Sequence, residues 1–209
     1  MEVMMTVVIR LMNLAQDILD KIQEHLKFIG SLLLRIYLVP VFWVASNNKW
    51  NPFDSSSSLD SVIQWFEHGL KLPFPVLNAY MAWSAEYFGA ILLALGLATR
   101  WICIPLMITM IVAATTVHLE HGWQAIHDPM SPHASANAGE AIERLSRAKD
   151  ILKEHGNYQW LTEHGNFVVS NNGIEWAATY FIMLLALFFL GGGKFISLDY
   201  WIARKFRKS

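Results

Sequence analysis

The chain has 209 residues, of which 54% are apolar and 16% charged, against about 25% charged in an ordinary soluble domain. A net charge of −1 gives no field for nucleic acid, and a single cysteine gives no disulfide scaffold. Nine Trp, twelve Phe and a mean hydropathy of +0.32 are more apolar surface than a water-soluble fold of this size can hide, so the expected solvent is a bilayer.

Residues 3–26 place Met4, Val7, Val8, Leu11, Ala15, Ile18, Ile22 and Leu26 at i, i+3, i+4 spacing, which predicts an amphipathic helix. It would either lie in the inner membrane interface or pack on the rest of the fold. The first nine residues lack a positive n-region, Arg10 breaks the apolar run and no A-x-A site follows, so no cleavable signal peptide is expected. Four stretches then approach the roughly 20 apolar residues that a spanning helix needs: 28–46, 76–98, 101–118 and 176–193. Between the first two, Ser58 can cap a helix over 59–70, which the run Leu72-Pro73-Phe74-Pro75 must end. Gly96-Leu97-Ala98-Thr99-Arg100 predicts a tight turn, with Thr99 capping the third span. The insert 119–173 holds one predicted helix, opened by the capping box Asn137-Ala138-Gly139-Glu140 and closed by Gly156. Gly89, Gly191, Gly192 and Gly193 could allow close helix contact.

Charge orients the four spans. One side carries nine Lys and Arg against five acids, including the tail Arg204-Lys205-Phe206-Arg207-Lys208; the other carries six against eleven. Both termini are therefore expected to be cytoplasmic.

Two charges fall inside the spans, Arg35 and Glu86. Each is costly there, so pairing is expected, and their depths differ by roughly 8 Å at 1.5 Å per residue. The pair reads either as a proton or ligand site or as a structural salt bridge, with Arg35 snorkelling inward as a third option. Seven of eight histidines fall on the outer side, densest at His118, His121 and His127. His118 and His121 would share a face of a continuing helix, and imidazoles suit copper or zinc, so these three are candidate metal ligands. The alternative is a set of ordinary loop histidines. Cys103 reads as a packing residue, and no phosphate, dinucleotide, hydrolase or zincin motif occurs.

Leu34-Arg35-Ile36 with Lys49, Glu86-Tyr87-Phe88-Gly89, and Gly96-Leu97-Ala98-Thr99-Arg100 together resemble the DoxX family of small four-helix membrane proteins. Trp65-Phe66, Leu72-Pro73-Phe74-Pro75, Pro105-Leu106, Thr109-Met110 and the stretch from Val117-His118 to Gly122-Trp123 narrow the resemblance to the HvfX branch. The resemblance implies a single all-α domain over 1–209, a four-transmembrane-helix bundle in a bacterial inner membrane. Arg35, Glu86, Thr99 and Arg100 match family positions. It also implies a link to membrane redox chemistry. The branch implies an accessory role in maturing copper-related, ribosomally made modified peptides beside their modifying enzymes. Two alternatives stand beside that: a membrane subunit of a quinone-linked oxidoreductase, and a structural anchor for a soluble partner. Copper and quinone are the candidate cofactors, the lipid bilayer is an expected partner, and self-association is left open.

Overall fold

The structure is a computed structural model that describes residues 2–207, with side chains from residue 5 onward. The Met4 side chain of the amphipathic pattern and Lys208 of the basic tail lie outside the described residues. Eight helices and no strand form among the described residues, as expected of an all-α chain.

Helix α1 runs unbroken from Glu2 to Lys49. The amphipathic segment and the first apolar stretch are therefore one rod, not two elements, because only a lone glycine (Gly30) lies between them and nothing there forces a turn. Pro40 is absorbed inside it. At 1.5 Å per residue the rod is about 72 Å long. Residues 5–27 are exposed throughout, so this arm does not pack on the rest of the fold.

The short helix α2 (Asp60–Gln64) widens into a π-helical turn over Trp65–Gly69, which replaces the single helix expected over 59–70. Helix α3 (Pro75–Leu95) begins on a proline, whose missing N–H costs nothing at a first helical position. It ends where Gly96 turns left-handed at φ 61° and Leu97 N donates to Leu92 O at 2.9 Å, the Schellman arrangement. Helix α4 (Thr99–Ala113) continues as a π-helical turn over Ala114–His118 and a 3₁₀ turn over Leu119–His121.

In the insert, α5 (Ala138–His155) and the one-turn α6 (Tyr158–Leu161) form. Asn137 stands at the start of α5, but its side chain accepts no capping hydrogen bond, so the expected capping box is not made. Helix α7 (Glu175–Leu190) stops three residues before the expected end of the fourth stretch, because Gly191 and Gly193 take φ of 75° and 87°. Helix α8 (Leu198–Phe206) follows.

Helix α3 lies between α1 and α4, and α4 packs on α7; α1 and α7 touch least. Leu38 and Phe42 of α1, Ala90 and Leu93 of α3, Cys103, Leu106 and Met110 of α4, and Leu184 and Leu187 of α7 form the buried core. Gly89 permits the α3–α4 approach: a Cβ there would lie 3.0 Å from both Leu106 Cδ1 and Cδ2. The bundle has a turn end, where α3 passes into α4 and α7 into α8, and an opposite loop end. Two helical stretches, Met5–Lys49 and Thr99–His121, are long and apolar enough to cross a membrane, and Glu175–Leu190 is apolar but shorter.

Candidate functional site

The turn end is built around Arg35, which is 3% exposed. A helix leaves its last carbonyls without partners and carries partial negative charge there. Arg35 meets the end of α3 and, with its other nitrogen, the loop that follows α7. Its Nε donates to Leu93 O at 2.7 Å and its Nη2 to Ala94 O at 3.0 Å, at the close of α3. Its Nη1 donates to Gly192 O at 2.7 Å and Ile196 O at 3.0 Å, beyond the close of α7. Neighbouring donors satisfy further carbonyls: Ser31 Oγ donates to Gly191 O, Arg100 Nη2 to Phe189 O at 3.2 Å, and Ser197 Oγ to Gly193 O at 2.5 Å.

The opposite charge serves the opposite pole. Asp199 accepts from Ala98 N at 2.7 Å and Thr99 N at 2.9 Å, so a carboxylate from α8 caps the N-terminus of α4. This corrects the expectation that Thr99 would supply its own cap. Thr99 is fully buried and its Oγ1 makes no hydrogen bond. Ala98 is held left-handed at φ 50°, a strained state for a residue with a Cβ, and the Asp199 bond helps fix it.

Arg35 and Glu86 are not brought together. The guanidinium points to the turn end, where four oriented carbonyls satisfy it. Glu86 instead pairs with Lys49, the last residue of α1, with Nζ to Oε2 at 2.6 Å. Glu86 is 3% exposed, while the Lys49 side chain keeps 22% of its surface. A ladder of rings covers this region. Trp43 stacks on Tyr87 (centroids 5.4 Å) and Tyr87 on Trp83 (5.0 Å); Trp83 then meets Trp50 (4.5 Å). Trp83 Nε1 donates to Trp50 O at 2.8 Å, which ties the end of α1 to α3.

Sequence reasoning missed Lys49 as the partner because the first span was closed at 46. The signal was the absence of any helix breaker between Ser46 and Lys49. Chemically, the pair is one acid held by one base, with the base reachable from the loop side. It can hold a proton, release it, or exchange one charged partner for a polar ligand.

The three candidate histidines separate. The switch from α to π to 3₁₀ geometry after Ala113 removes the period that would align His118 with His121. His118 Nδ1 lies 2.8 Å from Asn172 O. A carbonyl only accepts, so Nδ1 carries the hydrogen and Nε2 is left with the lone pair. His121 Nε2 lies 3.4 Å from Glu120 on the surface, and His127 is buried with Nδ1 3.0 Å from Ser135 Oγ. Among the described residues, no three His, Cys, Asp or Glu side chains form a group that could hold a metal ion.

Comparison with known proteins gives one match. Residues 30–119, just under half of the chain, match the DoxX family model, DoxX being a membrane family. The segment begins one residue before Ser31 and closes one residue after His118, so it contains Arg35, Lys49, Glu86, Thr99 and Arg100. No curated protein and no solved structure matches the chain.

Proposed function

We propose that this chain is a four-span protein of a bacterial inner membrane, with both termini cytoplasmic, that serves as the membrane subunit of a quinone-linked redox system. Lys49 and Glu86 are its proton-handling pair near the outer face. The observation that carries this reading is the buried carboxylate whose one ion-pair partner is a partly exposed lysine, set under stacked aromatic rings. Such a pair is a poor source of stability, since burial costs offset the attraction, which makes a functional role for it the more economical account.

A second feature supports it. Where α1 adjoins α7, an open groove of about 870 Å³ runs along α1, lined by Leu33, Ile36, Tyr37, Pro40 and Val44, with Tyr180 contributed by α7. Its apolar wall suits an isoprenoid chain lying against it from the bilayer. Its loop end reaches Ala45 and Asn48, and Lys49 Nζ lies 3.5 Å from Ala45 O. Quinone reduction takes two electrons from a redox partner and two protons. On this reading Lys49 Nζ and Glu86 Oε2 relay the protons toward the Ala45–Asn48 end of the groove.

The test is quinone analysis of the detergent-purified protein. Bound quinone is expected in wild type and in Glu86→Gln, absent when Val44→Trp fills the groove, and inactive toward the redox partner in Glu86→Gln. Wild type without quinone sinks the reading. A reporter active only in the cytoplasm, fused at Ser209, tests the topology, and silence there inverts it.

A second reading keeps the narrower HvfX resemblance: an accessory protein in maturing copper-related modified peptides. What favours it is His118, whose Nδ1 bond orients Nε2 as a single available ligand. Copper retained by wild type and lost in His118→Ala would move the function there. If neither quinone nor copper is bound, the anchoring role for a soluble partner leads.

A further inference from the structure

Helix α8 turns a second face away from the bundle. Asp199 and Tyr200 are half-buried against the turn end, and both Asp199 oxygens are engaged by Ala98 N and Thr99 N. Leu198, Trp201, Ile202 and Phe206 are exposed, as are Phe195 and Ile196 just before the helix. Trp101, at the start of α4 on this same end, is 77% exposed.

Basic groups are interleaved with these rings. Arg204 leans over Trp201 at 5.6 Å and Lys205 over Phe206 at 5.3 Å, and Arg207 follows. Among the described residues none of the three forms an ion pair. The one acid of α8 is turned inward, so the outward face is wholly cationic as well as aromatic. That is the composition of a helix lying in an anionic membrane surface.

The segment is also held rigidly. Phe28 of α1 meets Phe195 edge-on at 5.9 Å, Trp201 Nε1 donates to Phe195 O at 2.9 Å, and Asp199 N donates to Gly96 O at 3.0 Å.

We propose that Phe195–Arg207 is an anionic-phospholipid clamp. The apolar and aromatic side chains enter the acyl boundary, and Arg204, Lys205 and Arg207 meet the phosphates. Through Asp199 the clamp holds the α3–α4 turn, so the charge of the inner leaflet sets the stability of the turn end. This rests on the four-span reading with the turn end cytoplasmic.

The test uses the full chain in nanodiscs of brominated phosphatidylglycerol or brominated phosphatidylcholine at equal mole fraction. The difference between wild type and Trp201→Phe isolates the Trp201 signal. The anionic lipid is expected to quench it at least about twofold more strongly. Arg204→Gln/Lys205→Gln/Arg207→Gln should bring the two lipids to parity, while the charge-keeping Arg204→Lys/Arg207→Lys keeps the preference. The thermal midpoint should be higher in the anionic lipid, and Asp199→Asn should abolish that gain.

Equal quenching in wild type overturns the clamp. Quenching by neither lipid overturns its interfacial placement and makes a soluble partner the occupant. A chain that alkali extracts from membranes overturns the four-span reading, and the clamp with it; a chain that stays inserted but shows no lipid preference overturns the clamp alone.

Discussion

The two ends of the bundle use charge in opposite ways. At the turn end Arg35 and Asp199 act on backbone groups, and nearly every polar atom there has a partner fixed by a helix terminus. At the loop end Glu86 and Lys49 act on each other, and one of them stays in reach of solvent. The first arrangement has no second state of similar energy, because releasing Arg35 strips partners from carbonyls at the end of α3 and in the loop after α7. The second has one: a proton or a ligand can replace the partner without disturbing a helix. Closure falls to one end and, on the proposed reading, chemistry to the other, although both rest on a buried charge from α1 or α3.

Substitutions can break or sharpen this division. The largest expected effect is Arg35→Ala, which strips partners from carbonyls at the end of α3 and in the loop after α7. It should cost about 4 kcal/mol or prevent accumulation of folded protein, read as the detergent melting midpoint and yield. Arg35→Lys should recover only a small part, since one ammonium cannot reach both sets of carbonyls.

Next is Glu86→Ala, expected to cost about 2–3 kcal/mol by stranding the Lys49 ammonium. The double change Lys49→Met/Glu86→Leu should restore stability but not function. Restored function would place the chemistry elsewhere.

Gly89→Ala pushes a methyl onto Leu106 and should cost about 1–3 kcal/mol. Adding Leu106→Val should recover part of that, and no recovery would mean the α3–α4 contact is not the cause. Smallest is Trp83→Phe, which removes one hydrogen bond to Trp50 O and should cost about 1 kcal/mol. On the proposed quinone-linked reading, activity should fall further than that stability loss alone explains if the ladder shapes the site.

Much of the fold was legible in the sequence because apolar runs and breakers act locally. Pro75, Gly96 and the glycines after Leu190 bound their helices where local chemistry says they must, to within a few residues. The site was less legible because its partners are set by direction. Depth along a span gave Arg35 and Glu86 as neighbours. Which way a long side chain leaves its helix decided otherwise, and backbone carbonyls, which carry no sequence signature, captured the guanidinium. Asp199 capping a helix 100 residues away could not be read from either segment alone. The histidines failed for another reason: the expected face needs a constant 3.6 period, and the helix widens at Ala114.

The length of α1 has a mechanical consequence. The rod is continuous from Glu2 to Lys49, and the rest of the fold grips it from Phe28 onward. Residues 5–27 then form a moment arm of roughly 35 Å with no loop at its fulcrum. A sideways displacement of about 6 Å at the tip of such an arm is a rotation of roughly 10° at Ser31 and Arg35. Whatever the arm rests on is therefore coupled, as a lever is coupled to its pivot, to the carbonyls at the end of α3 and in the loop after α7 that Arg35 holds.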